Sequence, residues 1–299
     1  MRTAKSIIIF FLLWASYEIN AQQLSTDQSL KDLEYLSSPK LEGRKPLSKG
    51  SQLAQDHIRA RFRELGLGSQ FQDFTQPFSL PSSISKKEGK AKNIVGFVPG
   101  SELDRIIIVM AHYDHIGVKD GEIYHGADDN ASGVAGLLSL AAHYAKHRPL
   151  HSMVFAALDA EEMGLLGAKA LLEDFPFSQD QIALVVNMDM IGRSDNDRLY
   201  AVGSRHYPHL LPLLEEVSKT APIELFIGND GGFGKKDWSK ASDHAPFHAE
   251  GIPFLYFGVD DHEDYHRPSD TFENIDQAFF LKAIDTIFRV MEKFDSSQL

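Results

Sequence analysis

Short runs of Ile, Val, Leu and Phe punctuate the middle of this chain, at Asn93 to Phe97, Arg105 to Met110, Met153 to Leu158, Ala183 to Met188 and Pro253 to Phe257. Runs that are apolar throughout predict strands covered on both faces, as in parallel or mixed sheets. Between them, helices are predicted over Ser132 to His147, with Ser132 as N-cap, over Leu165 to Glu173 and over His209 to Lys219. An amphipathic helix is predicted over Ala278 to Phe294. Toward the N-terminus, Leu30, Leu33, Leu36, Ile58, Phe62 and Leu65 keep a helical period, which Pro39, Gly43, Pro46 and Gly50 divide into two helices. The polar stretch from Gln70 to Lys92 reads as a strand followed by an exposed turn. Strand and helix alternation predicts an α/β fold, a three-layer α/β/α sandwich with a mixed, mostly parallel central sheet. Residues 22–299 show neither an internal repeat nor an interdomain linker, and are expected to form a single domain.

Composition adds a compartment and removes some chemistries. The chain has 299 residues, 43% hydrophobic and 24% charged, which suits a folded domain with a sizeable core. Residues 1–21 stand apart: Arg2 and Lys5 precede an apolar run from Ile7 to Ala15, and Ala21 offers a small residue for cleavage. This is the pattern of a secretory signal peptide. The apolar run is shorter than the roughly 20 residues a bilayer-spanning helix needs, so no stable membrane insertion is expected after cleavage. The protein is therefore expected to be secreted or periplasmic. The formal net charge of -12 argues against nucleic acid as a partner. With no cysteine, disulfides, thiolate metal sites and a cysteine nucleophile are all excluded.

The candidate chemistry lies where the apolar runs end. In open α/β sheets, ligands bind beyond the carboxyl ends of the strands. His112 follows one run, Glu161 and Glu162 follow the next, Asp189 ends a third, and His266 lies in the loop after a fourth. Each has a plain reading by itself: a structural histidine, a pair of solvated acids, a surface turn around Pro268. Asp189 is less easily dismissed, because its neighbours are Met188, Met190 and Ile191, and a buried unpaired carboxylate costs several kcal/mol. Gly126-Ala127-Asp128-Asp129-Asn130-Ala131-Ser132-Gly133 is either an Asx-rich loop capping a helix or a place where one Asp bridges two cations. Two imidazoles and three carboxylates suffice for two Zn²⁺ ions sharing one carboxylate. Adjacent Glu161 and Glu162 point apart, so one can bind metal while the other moves a proton. Asp114 is placed to accept a hydrogen bond from the second ring nitrogen of His112.

Taken together, these segments resemble the M28 zinc peptidases, which include secreted bacterial aminopeptidases. The matching residues are Ala111-His112-Tyr113-Asp114, Gly126 to Gly133, Ala160-Glu161-Glu162-Met163-Gly164, Asn187-Met188-Asp189-Met190 and Tyr265-His266. Glu34-Tyr35-Leu36 and Leu41-Glu42-Gly43-Arg44 also match the leader region of many members. The resemblance implies a zinc-dependent exopeptidase fold, and a zinc peptidase catalytic domain over 22–299. It implies two zinc ions and peptide substrates with a free N-terminus. Asp129 would bridge both ions, Glu162 and His266 would complete one site, and His112 and Asp189 the other. Glu161 would be the general acid/base and Asp114 would orient His112. Ser242-Asp243-His244 would take a supporting or substrate-pocket role. Some members carry a Tyr shortly before that segment to stabilise the oxyanion; here Asp237-Trp238-Ser239-Lys240-Ala241 contains none, which leaves the donor unassigned. The alternatives are a glutaminyl cyclase, with one zinc, and a non-catalytic binding domain on the same fold.

Overall fold

The computed structural model describes residues 27–83, 89–232 and 235–297. The expected signal peptide lies outside them. An eight-stranded sheet is built from β1 (Thr75–Phe78), β2 (Ala91–Val98), β3 (Glu102–His112), β6 (His151–Leu158), β7 (Ile182–Met188), β8 (Arg198–Val202), β9 (Glu224–Ile227) and β10 (Phe254–Gly258). A separate hairpin pairs β4 (Gly117–Lys119) with β5 (Glu122–Tyr124). The order across the sheet is β1-β2-β6-β3-β7-β10-β8-β9. Strands β6, β3, β7 and β10 run parallel, as do β8 and β9, whereas the β1/β2, β2/β6 and β10/β8 pairs are antiparallel. The sheet is mixed, as expected.

The period of two within β3 divides the core. Ile107, Val109 and Ala111 face one apolar layer, and Ile106, Ile108 and Met110 face the other. The first layer is closed by the helix at 27–36 (α1), α2 (Lys49–Glu64), α3 (Gly133–Lys146), α5 (Leu211–Ser218) and α7 (Gln277–Asp295). The second is closed by α4 (Leu166–Glu173) and the short α6 (Ala245–Ala249). Helix α7 shows how the pattern works. Phe280, Ala283, Ile284, Ile287, Val290, Met291 and Phe294 fall on one buried stripe, and Asp276 caps the helix by accepting from the main-chain N–H groups of Ala278 and Phe279. Each large side chain buried this way contributes about 1.5–3 kcal/mol.

Chain order creates the site. From β3 the chain passes through α3 on one face to β6, and from β6 through α4 on the other face to β7, which lies on the far side of β3. The chain thus reverses direction across the sheet at β3. The carboxyl ends of β6, β3 and β7 consequently surround a crevice of the kind where open α/β sheets bind ligands. Among the described residues, no helix is long and apolar enough to cross a membrane. Strands β8 and β9 and the β4/β5 hairpin have no counterpart among the expected elements. They are short: the apolar runs of β8 and β9 are only Leu199 to Val202 and Leu225 to Ile227, and β4 and β5 have three residues each.

Candidate metal centre

The crevice gathers the five expected metal ligands and Glu161. His112 is the last residue of β3, Asp189 follows β7 directly, Glu161 and Glu162 follow β6, and His266 lies in the loop after β10. Asp129 comes from the helical turn Ala127–Ser132 that precedes α3. That turn starts at Gly126, whose φ is +60°; a Cβ there would stand 2.2 Å from Asp129 O and 2.6 Å from the His115 ring. Only glycine fits, because the turn folds back onto the residue it delivers.

The donor atoms form two sets. In the first, His112 Nε2 lies 3.2 Å from Asp189 Oδ1 and 3.5 Å from Asp129 Oδ1. In the second, His266 Nε2 lies 3.0 Å from Asp129 Oδ2 and 3.4 Å from Glu162 Oε1. Asp129 therefore gives one oxygen to each set. His115 joins the second, its Nδ1 2.9 Å from Glu162 Oε1 and 3.7 Å from Asp129 Oδ2. His115 was absent from the expected residues. Its signal was a third imidazole-or-acid position, after His112 and Asp114, within the four residues from 112 to 115.

The donor chemistry fits a divalent cation. A neutral imidazole has one N–H and one lone pair. His112 Nδ1 lies 3.2 Å from the main-chain oxygen of Asp114, a carbonyl that can only accept. Without metal, burial opposes charge on this ring, but Asp189, Glu161 and Asp129 raise its pKa well above the ordinary value, so Nε2 keeps a proton facing two carboxylate oxygens; a cation bound there would take that proton's place. His115 is buried, and among the described residues neither of its ring nitrogens nor Glu162 Oε1 makes a well-directed hydrogen bond, although Nδ1 stands 2.9 Å from that oxygen. Such atoms are costly to bury unless a cation stands between them.

The electrostatics agree. Burial opposes charge at Asp189 and Glu162, yet Asp189 is held below the usual carboxylate range by His112, and Glu162 by His115 and His266. Contact with Asp129 and Glu162 raises His266 to about 10, against the effect of burial. Burial lifts the Glu161 carboxyl to about 10, with Asp243, Asp189 and Asp114 adding to the lift and His112 opposing it. Without bound cations, so many acids cannot all be charged together.

Two expectations need correction in detail. Asp114 does not hold His112 through its carboxylate, which stays 3.8 Å from Nδ1; the contact is the main-chain carbonyl, and Asp114 Oδ1 instead accepts from the N–H of Glu161 at 3.0 Å. Asp114 thereby ties the β3 end to the segment carrying Glu161. Ser132 occupies the expected N-cap position of α3, but its side chain makes no capping hydrogen bond. Asn130 Oδ1 accepts from Gly133 N–H, while the Ser132 hydroxyl donates to Asp128 and accepts from Ile191 N–H. Asp128 differs from Asp129 in being wholly occupied by structure, accepting from Gly192 N–H at 2.6 Å and pairing with His262 Nε2 at 3.0 Å.

A cleft of about 120 Å³ opens over the two sets, its walls made by Met190, Trp238, Ala241, Tyr256, Val259 and Tyr265. That is room for about four waters. A larger groove of about 450 Å³ runs between Arg193 and Asp276, but no imidazole lines it, and Arg193 is already paired with Asp264 and Asp195. In the Ser242-Asp243-His244 segment, Ser242 accepts from Asn187 Nδ2, and His244 packs on Phe254 with its Nε2 2.9 Å from Trp238 O. Asp243 is buried, with neither carboxylate oxygen hydrogen-bonded among the described residues.

Comparison with known proteins agrees with this geometry. A "Probable zinc metalloprotease" of Pyrenophora tritici-repentis is 30% identical over 211 residues, covering 58% of this chain and 46% of the relative. The chain thus spans less than half of that relative's length. Among solved structures, a zinc aminopeptidase from Bacillus subtilis superposes with a TM-score of 0.71 at 16% identity, covering 91% of this chain and 96% of that one. A Bacteroides thetaiotaomicron glutaminyl cyclase superposes with a TM-score of 0.70 at 17% identity, covering 91% and 98%. At such identities both likenesses speak for the fold alone. The family model "Peptidase family M28" matches residues 93–291, a span that holds both donor sets and Glu161, and the chain belongs to that family.

Proposed function

We propose that this protein is a zinc-dependent aminopeptidase, secreted or periplasmic, that releases N-terminal residues from peptides. The observation that carries the reading is Asp129, whose two oxygens face separate imidazole-and-carboxylate sets with Glu161 alongside. His112, Asp129 and Asp189 would hold one zinc ion. Asp129, Glu162 and His266 would hold the other, with His115 in reach of the same two carboxylates. Bound zinc supplies Lewis acidity, acidifying a water and polarising a peptide carbonyl.

The rest is done by the chain's own side chains. Glu161 is not in either donor set and lines the cleft beside them; with bound cations offsetting the acids that raise its pKa, its carboxylate would take the proton of the attacking water and hand it to the leaving amine as the C–N bond breaks. Asp114 fixes where Glu161 stands by accepting its main-chain N–H. Trp238, Tyr256, Val259 and Tyr265 form the apolar walls against which a substrate side chain would lie.

Replacing Glu161 with Ala tests the assignment. Zinc content stays, and turnover of unblocked peptides falls by about 10²–10⁴-fold, the range general acid–base groups supply. Loss of zinc together with activity would show Glu161 to be a ligand. N-acetylated peptides should resist cleavage, and cleavage at equal rates would remove the aminopeptidase reading. The likeness to a glutaminyl cyclase makes peptides with N-terminal Gln a necessary substrate in the same assay: pyroglutamate formation without hydrolysis would favour cyclisation.

A further inference from the structure

The Leu41-Glu42-Gly43-Arg44 segment has no part in the chemistry above, yet it ends in a guanidinium that is fully buried. Arg44 Nε donates to Tyr113 O at 2.7 Å, Nη1 donates to Leu36 O and His125 O at 2.6 Å each, and Nη2 donates to Gly126 O at 2.7 Å. All four acceptors are main-chain carbonyls. Two of their segments carry the metal-type donors, since Tyr113 lies between His112 and Asp114, and Gly126 opens the turn that delivers Asp129. One rigid planar group thus joins the end of α1, the end of β3 and the Asp129 turn.

The local backbone is bent to put it there. Glu42, Gly43 and Arg44 all have positive φ, at 48°, 67° and 52°. Two of the three are not glycine, and such conformations persist where the surroundings over-determine them. A Cβ on Gly43 would stand 2.2 Å from Tyr124 O and 2.8 Å from Gly117 O, so the segment is pressed against the β4/β5 hairpin. Among the described residues no carboxylate touches the buried cation; it lies in the field of Asp270, Asp129, Asp114 and Glu162, which act on it from a distance.

We propose that Arg44 is a positioning residue of the metal centre, whose fork of hydrogen bonds sets the spacing between the His112 and Asp129 segments and whose charge offsets the carboxylates before cations bind. This rests on the reading of the centre as a zinc site. Lysine keeps the charge but, as a point donor, cannot reproduce the planar fork. The test is Arg44→Lys, with zinc affinity measured by competition against a chelator and metal-free stability measured by urea unfolding. Phe62→Leu, in α2 where Phe62 packs on Phe74, serves as a control that lowers stability without touching either segment.

The expected result is a loss of zinc affinity of about 10–100-fold in Arg44→Lys, the range seen when a group supporting a metal ligand is removed. Phe62→Leu should keep wild-type affinity. Arg44→Lys with wild-type zinc affinity, however much its stability falls, would overturn the proposal. So would failure of Arg44→Lys to fold at any zinc concentration, which would make Arg44 a determinant of the fold. A wild type that binds no zinc would sink the reading of the site as well, so the wild-type titration tells the two failures apart.

Discussion

Asp128 and Asp129 are neighbours in sequence with opposite tasks, and exchanging their fates is the sharpest perturbation the structure offers. Asp128 is fully buried and accepts from Gly192 N–H at 2.6 Å and from the Ser132 hydroxyl at 3.1 Å, while pairing with His262 at 3.0 Å. Truncation to Ala strands the Gly192 N–H and the His262 ring without an acceptor. Unsatisfied buried groups cost about 1–3 kcal/mol each, and breaking a buried charged pair costs about 3–5 kcal/mol. The contributions overlap, so Asp128→Ala should lose about 3–5 kcal/mol. In a domain of this size that lowers the midpoint of thermal unfolding by about 10 °C.

Asp129→Asn is nearly isosteric, leaves the main-chain N–H bond to Asp270 Oδ2 intact, and removes one charge from a crowd of acids. Its metal-free stability should change far less, while its zinc binding collapses. Urea unfolding in chelator, paired with zinc content after reconstitution, reads both. If Asp128→Ala loses zinc at wild-type stability while Asp129→Asn keeps its zinc, the assignment of roles is reversed and the reasoning from hydrogen-bond partners fails.

Other outcomes follow from the same geometry. His115→Ala should weaken zinc binding at the second donor set and spare the first, visible as two separated steps in a chelator competition where the wild type shows closer ones; identical curves would return His115 to a packing role. Asp159, buried while accepting from Lys92 N–H and Ala160 N–H, is raised by burial to about 6. Its unfolded value is about 3.9. The folded state therefore binds the proton more tightly, and stability falls as pH rises between those values, by about 3 kcal/mol for this group. Urea unfolding of metal-free Asp159→Asn at pH 4 and pH 7 should show a shallower fall than wild type, and parallel slopes would contradict the assigned shift.

Much of this was legible from residues in order. His112 and Asp189 stood out because each closes an apolar run, and a run covered on both faces leaves its last polar side chain at the strand end, where the crevice forms. The paired Glu161 and Glu162 were legible for the same reason. What the residues by themselves left open were groups of one type in one segment, where only the family resemblance set Asp129 apart from Asp128. Asp128 and Asp129 differ only in what lies across the fold from them, namely His262 and Gly192 for one and two imidazoles for the other. Arg44 belonged to a recognisable motif, but its burial follows from three successive left-handed residues, and only Gly43 announces that conformation. Asp114 was placed correctly near His112, but the carbonyl rather than the carboxylate makes the contact, a distinction set by the backbone beyond the strand end. Strands β8 and β9 escaped notice because their apolar runs, Leu199 to Val202 and Leu225 to Ile227, are short.

The central claim is that distant acids and imidazoles converge to hold paired cations through one shared carboxylate. Zinc counted per folded chain, in wild type and in Asp129→Asn after identical reconstitution and desalting, tests it most directly. The account predicts two ions in the wild type and at most one, weakly held, in the variant. A wild type that retains none, or a variant that retains the same number as the wild type, would contradict it.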